Sequence, residues 1–167
     1  MSPRTRKGLI VAALHVIIVA SVGGKFLLDR ATRPRVWVRA APVDPDLPIR
    51  GRYVRLRIEV VPGPGLNLSG PRASTPVSLL VEDDHLVALP GSDSSDLDAR
   101  RIQRDGGDVA VLDRPVAYFI PEHVPDPSRR AADEELWVEV TLPRRGAPRP
   151  IRLGVKKDGV LTPLDLN

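Results

Sequence analysis

From Gly8 to Leu28 the chain runs GLIVAALHVIIVASVGGKFLL, 21 residues interrupted only by His15, Ser21 and Lys25. As a helix this stretch spans about 30 Å, the thickness of a bilayer's hydrocarbon core. Arg4, Arg6 and Lys7 precede it, and the excess of positive charge on the cytoplasmic side predicts that residues 1–7 form a basic tail inside the cell. Residues 8–28 are then a transmembrane helix, 29–35 a linker, and 36–167 a domain outside the cytoplasm. Arg30, Arg33 and Arg35 lie on the far side and oppose that orientation. A cleaved signal peptide is the competing reading, because a basic start followed by Leu9–Ala20 has the same layout. However, Val22 interrupts the small residues that a cleavage site prefers, and the absence of cysteine excludes a lipoprotein. Within the segment, Lys25 can extend its stem to the headgroups. His15 is tolerable as a neutral imidazole, and Ala12, Ala13, Ala20, Gly23 and Gly24 allow close helix contacts.

Charge supports the same division. The chain holds 25 basic and 21 acidic residues, but residues 1–25 carry four of the bases and no acid, so the remainder is neutral. A basic protein is ordinarily a candidate for nucleic-acid binding; here the excess sits at one end, and no nucleic-acid partner is expected. Arginine outnumbers lysine 21 to 4, which suits a GC-rich genome.

Beyond the linker the pattern is that of short strands. Val54, Leu56, Ile58 and Val60 alternate with Tyr53, Arg55, Arg57 and Glu59, predicting a half-buried strand over residues 52–61. Further strands are expected at 36–41, 77–81, 86–89, 99–104, 109–112, 116–120, 136–142, 151–155 and 160–161, some of them only as short pieces. Pro42–Pro48, 62–76, Glu82–His85, 91–98, Asp105–Asp108, 113–115 and 143–150 read as turns or loops, and Lys157-Asp158-Gly159 as a hairpin turn. Ala131–Glu135 is the one place outside the N-terminus that favours a short helix. About eight strands at such spacing predict a mainly β fold, a small and mostly antiparallel barrel or sandwich after the helix. Trp37, Tyr53, Tyr118, Phe119 and Trp137 all fall in predicted strands and should supply much of the large core or sheet-surface area.

The run Asp44-Pro45-Asp46-Leu47-Pro48-Ile49-Arg50-Gly51-Arg52-Tyr53-Val54-Arg55-Leu56-Arg57-Ile58-Glu59 resembles the signature of the bacterial GDYXXLXY family, with Gly51, Tyr53 and Leu56 matching. Val116-Ala117-Tyr118-Phe119-Ile120-Pro121-Glu122 is similar to a later segment of that family, and so is the closing strand, turn and Gly159-Val160-Leu161. Arg52 stands where the family has aspartate and Ile58 where it has the second aromatic. Any chemistry or cation binding by that aspartate would therefore be missing here. The resemblance implies a membrane-anchored extracytoplasmic domain in the bacterial cytoplasmic membrane and no particular reaction. From the residues themselves, Gly51 suits the turn into a strand, Tyr53 packs across the sheet and Leu56 is core. Arg50, Arg52, Arg55 and Arg57 are a solvated strand face or, alternatively, a recognition edge for an acidic partner or anionic headgroups.

Candidate chemistry is sparse. His85 beside Glu82, Asp83 and Asp84, with Glu122 and His123 elsewhere, lacks metal-ligand spacing, and the Asp93–Asp98 loop lacks the central glycine and closing glutamate of a calcium loop. No metal or cofactor is expected. A serine–lysine hydrolase would need a serine near the membrane and a buried lysine. Ser21 lies inside the helix, and Lys156 and Lys157 adjoin a hairpin turn. No phosphate loop or nucleophile elbow occurs. Two readings remain: a non-catalytic tethered module with an envelope protein partner, or an enzyme or ligand-binding domain whose site is assembled from dispersed residues. Arg50, Arg52, Tyr53, Tyr118 and Glu122 are where such a site would form, and a shallow surface is expected there.

Overall fold

The computed structural model describes residues 3–43, 53–68, 74–92, 95–104, 107–127, 130–131 and 133–166. Arg50, Gly51 and Arg52 lie outside these, as do Asp44–Pro48 of the expected turn. The chain divides into two units, residues 1–33 and 34–167.

The first unit is one helix, α1 (Pro3–Thr32), containing a stretch, Thr5–Leu28, that is long and apolar enough to cross a membrane. None of that stretch is buried by protein. Two of its polar side chains bond within the helix: His15 Nδ1 donates to the Val11 carbonyl at 2.8 Å and Ser21 Oγ to the Ile18 carbonyl at 2.8 Å. Such back-bonding removes the unpaired donors that hydrocarbon penalises. The helix extends to Thr32, so only Arg33 and Pro34 separate it from the first strand.

The second unit is mainly β, with ten strands among the described residues: β1 (Arg35–Val43), β2 (Tyr53–Pro62), β3 (Thr75–Glu82), β4 (His85–Pro90), β5 (Asp98–Arg104), β6 (Gly107–Leu112), β7 (Val116–Phe119), β8 (Glu135–Thr141), β9 (Arg149–Lys157) and β10 (Val160–Pro163). The expected alternation holds in β2, where Val54, Leu56, Ile58 and Val60 are buried and their neighbours half-exposed. β2 is the common member of the architecture. It pairs with β1 and β7 along its first half, then with β6 through Glu59 and Val60, and finally with β4 through Val61 and Pro62. The path β2-β4-β3-β5-β6 returns to β2 and closes a ring, while β1, β8, β9 and β10 extend from the other side. All pairings are antiparallel except β2 with β4. One aliphatic core joins both parts, with Leu56, Ile58, Leu86, Leu112, Val138, Val140 and Leu153 all at or below 2 % exposure.

Two local expectations are revised. Pro42 and Val43 continue β1 instead of starting a turn, because they still pair with Leu56 and Arg55. The helix expected at Ala131–Glu135 does not form among the described residues: Glu134 N–H donates to the Ala131 carbonyl at 3.1 Å in a turn, and Glu135 begins β8 opposite Lys156. Of the five strand aromatics, Trp37, Tyr53, Tyr118 and Trp137 are half-buried and supply sheet-surface area as expected, Tyr118 packing against the core, while Phe119 is 73 % exposed. Branched aliphatic residues at alternate positions fill the interior.

Two hairpins have two-residue turns with positive φ at both positions: Asp83 (47°) and Asp84 (58°), then Asp158 (50°) and Gly159 (81°). These are the mirror-image turns whose twist suits antiparallel strands. Glycine occupies the second position of one turn without steric cost, whereas Asp84 carries a Cβ in that conformation. Replacing Asp84 with glycine should raise stability by roughly 0.5–1 kcal/mol, seen as a higher urea midpoint with unchanged slope.

Candidate functional site

The period of two along each strand decides which sequence candidates meet. Register places Tyr53 opposite Phe119 and Arg55 opposite Ala117, so Tyr53, Arg55, Arg57 and Phe119 share the outer face. The Tyr53 and Phe119 rings are 6.1 Å apart at 51°, a tilted aromatic pair. Tyr118 points to the other face, opposite Val54, and packs against the core. It lines a hollow of about 580 Å³ with Ile151, Leu164 and Leu166, which Phe119 also borders. Tyr53 and Tyr118 therefore do not converge. Glu122 is exposed in the turn after β7.

Arg55 and Arg57 form no ion pair among the described residues, and the Arg57 Nε is buried without a hydrogen-bond partner. That state is costly for a guanidinium. Next along β2, Glu59 is fully engaged: its side chain is only 16 % exposed and pairs with Arg104 and, at 3.9 Å, with Arg39.

Sequence reasoning missed a second feature. β1 pairs with β2 only through Ala40–Val43; before that point the strands diverge, β1 continuing beside β8. A cleft of about 390 Å³ opens between them, lined by Trp37, Arg39, Glu59, His85, Asp108 and Trp137 among others. Its polar groups largely answer one another. Arg39 meets Glu135 at 3.1 Å, and Trp137 Nε1 donates to Glu135 at 3.1 Å. The Lys156 ammonium sits 4.6 Å from the Trp137 ring centre, and the Arg152 guanidinium 5.2 Å from that of Trp37 while bonding Glu139 at 2.7 Å. The alternation of Val36, Val38 and Ala40, and of Leu136, Val138 and Val140, put both tryptophans on the outward parity. Their adjacency required the register of β1 on β8.

The catalytic and metal candidates are used structurally. His85 Nδ1 donates to the Asp83 carbonyl at 2.6 Å across its hairpin turn. Ser95 Oγ donates to the Val77 carbonyl at 2.5 Å and fastens the 91–98 loop to β3. Among the described residues no three His, Asp or Glu side chains are grouped to hold a metal ion. Lys157 reaches Asp133 at 2.7 Å; that hydrogen bond lowers the Asp133 pKa and raises that of Lys157, and both groups are solvent-exposed.

The outer-face patch thus offers two aromatic rings and two arginines that have no ionic partner among the described residues. That combination suits binding to an acidic and partly apolar surface, since aromatic and arginine side chains supply most of the energy in protein interfaces. No protein-family model matches the chain, and neither a curated protein nor a solved structure does.

Proposed function

We propose that this protein is a bacterial single-pass membrane protein whose β unit acts as a non-catalytic interaction module. In this reading α1 crosses the cytoplasmic membrane with residues 1–7 inside, and the β unit stands outside the cytoplasm. There it recognises an acidic, partly apolar protein surface of the envelope. The observation that carries the reading is the exposed Phe119, paired with Tyr53 and set beside Arg55 and Arg57, which have no ionic partner among the described residues. Arg50 and Arg52 belong to the same basic run, and the resemblance of residues 44–59 to the GDYXXLXY signature favours a tethered envelope domain. Arg52, in place of the family's aspartate, speaks against cation chemistry at that position.

A reporter active only outside the cytoplasm, fused after Asn167 and combined with membrane fractionation, tests the tether. An active reporter that resists alkaline extraction from membranes is expected. An inactive one would reverse the orientation and remove the envelope partner with it. In the same strain, a photo-crosslinking residue at Phe119 should give a discrete adduct, lost on Arg55→Glu with Arg57→Glu.

A further inference from the structure

The edge at which the chain enters the β unit is basic. Arg35 of β1 lies opposite Thr141 of β8, and Thr141 opposite Arg149 of β9. The connection from β8 to β9 runs Leu142-Pro143-Arg144-Arg145-Gly146-Ala147-Pro148, with no acid. Its start is fixed to the chain's point of arrival, where Leu142 N–H donates to the Pro34 carbonyl at 3.2 Å. Arg144 and Arg145 are exposed and rim a hollow of about 550 Å³, which Ser78, Ser95 and Asp96 also line. Asp96 is the single carboxylate of that lining and forms no ion pair with either arginine. Among the described residues, the lining of the hollow therefore carries Arg144 and Arg145 against one acid, Asp96.

Three peptide steps link Thr32, the last helical residue, to Arg35, a covalent span of at most about 11 Å. The apolar stretch ends at Leu28, so about 6 Å of helical rise precedes Thr32, and chain length alone keeps Arg35 within about 17 Å of the surface from which the helix emerges. Guanidinium groups bind phosphate through paired N–H donors, and anionic bilayers concentrate cations near their surface. We propose that Arg144 and Arg145 bind the headgroup phosphates of anionic lipids in the bilayer crossed by the chain's own helix, the hollow beside Ser78 receiving one headgroup. This rests on the anchoring part of the proposed function and adds a lipid preference to it.

The chain contains no cysteine, so a single Ser78→Cys substitution gives a site for a fluorophore at the hollow, and Thr162→Cys on β10 a reference. The full-length protein is placed in nanodiscs of phosphatidylcholine alone or with one-third phosphatidylglycerol, each containing a trace of headgroup-nitroxide lipid. Quenching at residue 78 should be about threefold greater in the anionic discs, fall toward the neutral value in 0.5 M NaCl, and be lost in R144Q/R145Q; residue 162 should not respond. Equal quenching in the two disc types, or a response unchanged by R144Q/R145Q, would overturn the proposal. Release by inorganic phosphate beyond that of NaCl at equal ionic strength would assign the arginines to a soluble phosphate and also overturn it. Failure of the chain to enter nanodiscs of either type would instead count against the anchor, and the lipid proposal would fall with it.

Discussion

Leu56→Ala is expected to destabilise the β unit by about 3 kcal/mol, the middle of the range for leucine truncation in a packed core. Leu56 is fully buried at the centre of β2. Its strand segment pairs with β1 on one side and β7 on the other, so the lost methyl groups leave a void bordered by three strands. Relaxation there is restricted because β2 is also held by β6 and β4. Phe119→Ser should cost under about 0.5 kcal/mol, since the ring is 73 % exposed. The contrast separates packing from exposure: the buried Leu56 carries stability, and the exposed Phe119 ring carries little of it. Urea unfolding of both variants measures it, and a Leu56→Ala cost below about 1 kcal/mol would remove β2 as the organising strand.

Gly154→Val should have a comparable effect for the opposite reason. A Cβ at position 154 would lie 2.8 Å from Cζ3 of Trp37 and 3.1 Å from the Thr162 carbonyl oxygen. The Trp37 ring reaches over β9 there because glycine leaves the space open. Overpacking a formed core costs roughly 1–3 kcal/mol, and valine would also push Trp37 away from Arg152. The expected result is a loss near the top of that range with a red-shifted tryptophan emission. An unchanged emission maximum together with an unchanged urea midpoint would mean that Trp37 does not need position 154 empty.

Local sequence rules carried much of this architecture. The alternation through Val54–Val60 read directly as a half-buried strand, and Asp158-Gly159 as a tight hairpin turn, because each depends on residues a few positions apart. The parallel pairing of Val61 with Val87 and the closure of β6 onto β2 were not legible, since register between distant strands leaves no trace in either segment alone. The same limitation shaped the candidate site. Tyr53 and Tyr118 looked like partners by residue type, yet opposite strand parity sends them to different faces. The Trp37, Trp137 and Gly154 arrangement joins three strands and emerges only from their register. At Ala131–Glu135, helix preference lost to the pairing of Glu135 with Lys156, a case of tertiary context overriding propensity.

β1 has a mechanical property that follows from its divided pairing. Its first half, Arg35–Arg39, is laddered to β8, and its second half, Ala40–Val43, to β2. A pull applied at Pro34 while the far end of β2 is gripped would act lengthwise along β1. The hydrogen bonds from Ala40–Val43 to β2 would then be loaded in parallel and have to shear together, whereas a pull across the strand would open them one at a time. The strand that receives the chain from the helix is thus built to carry tension.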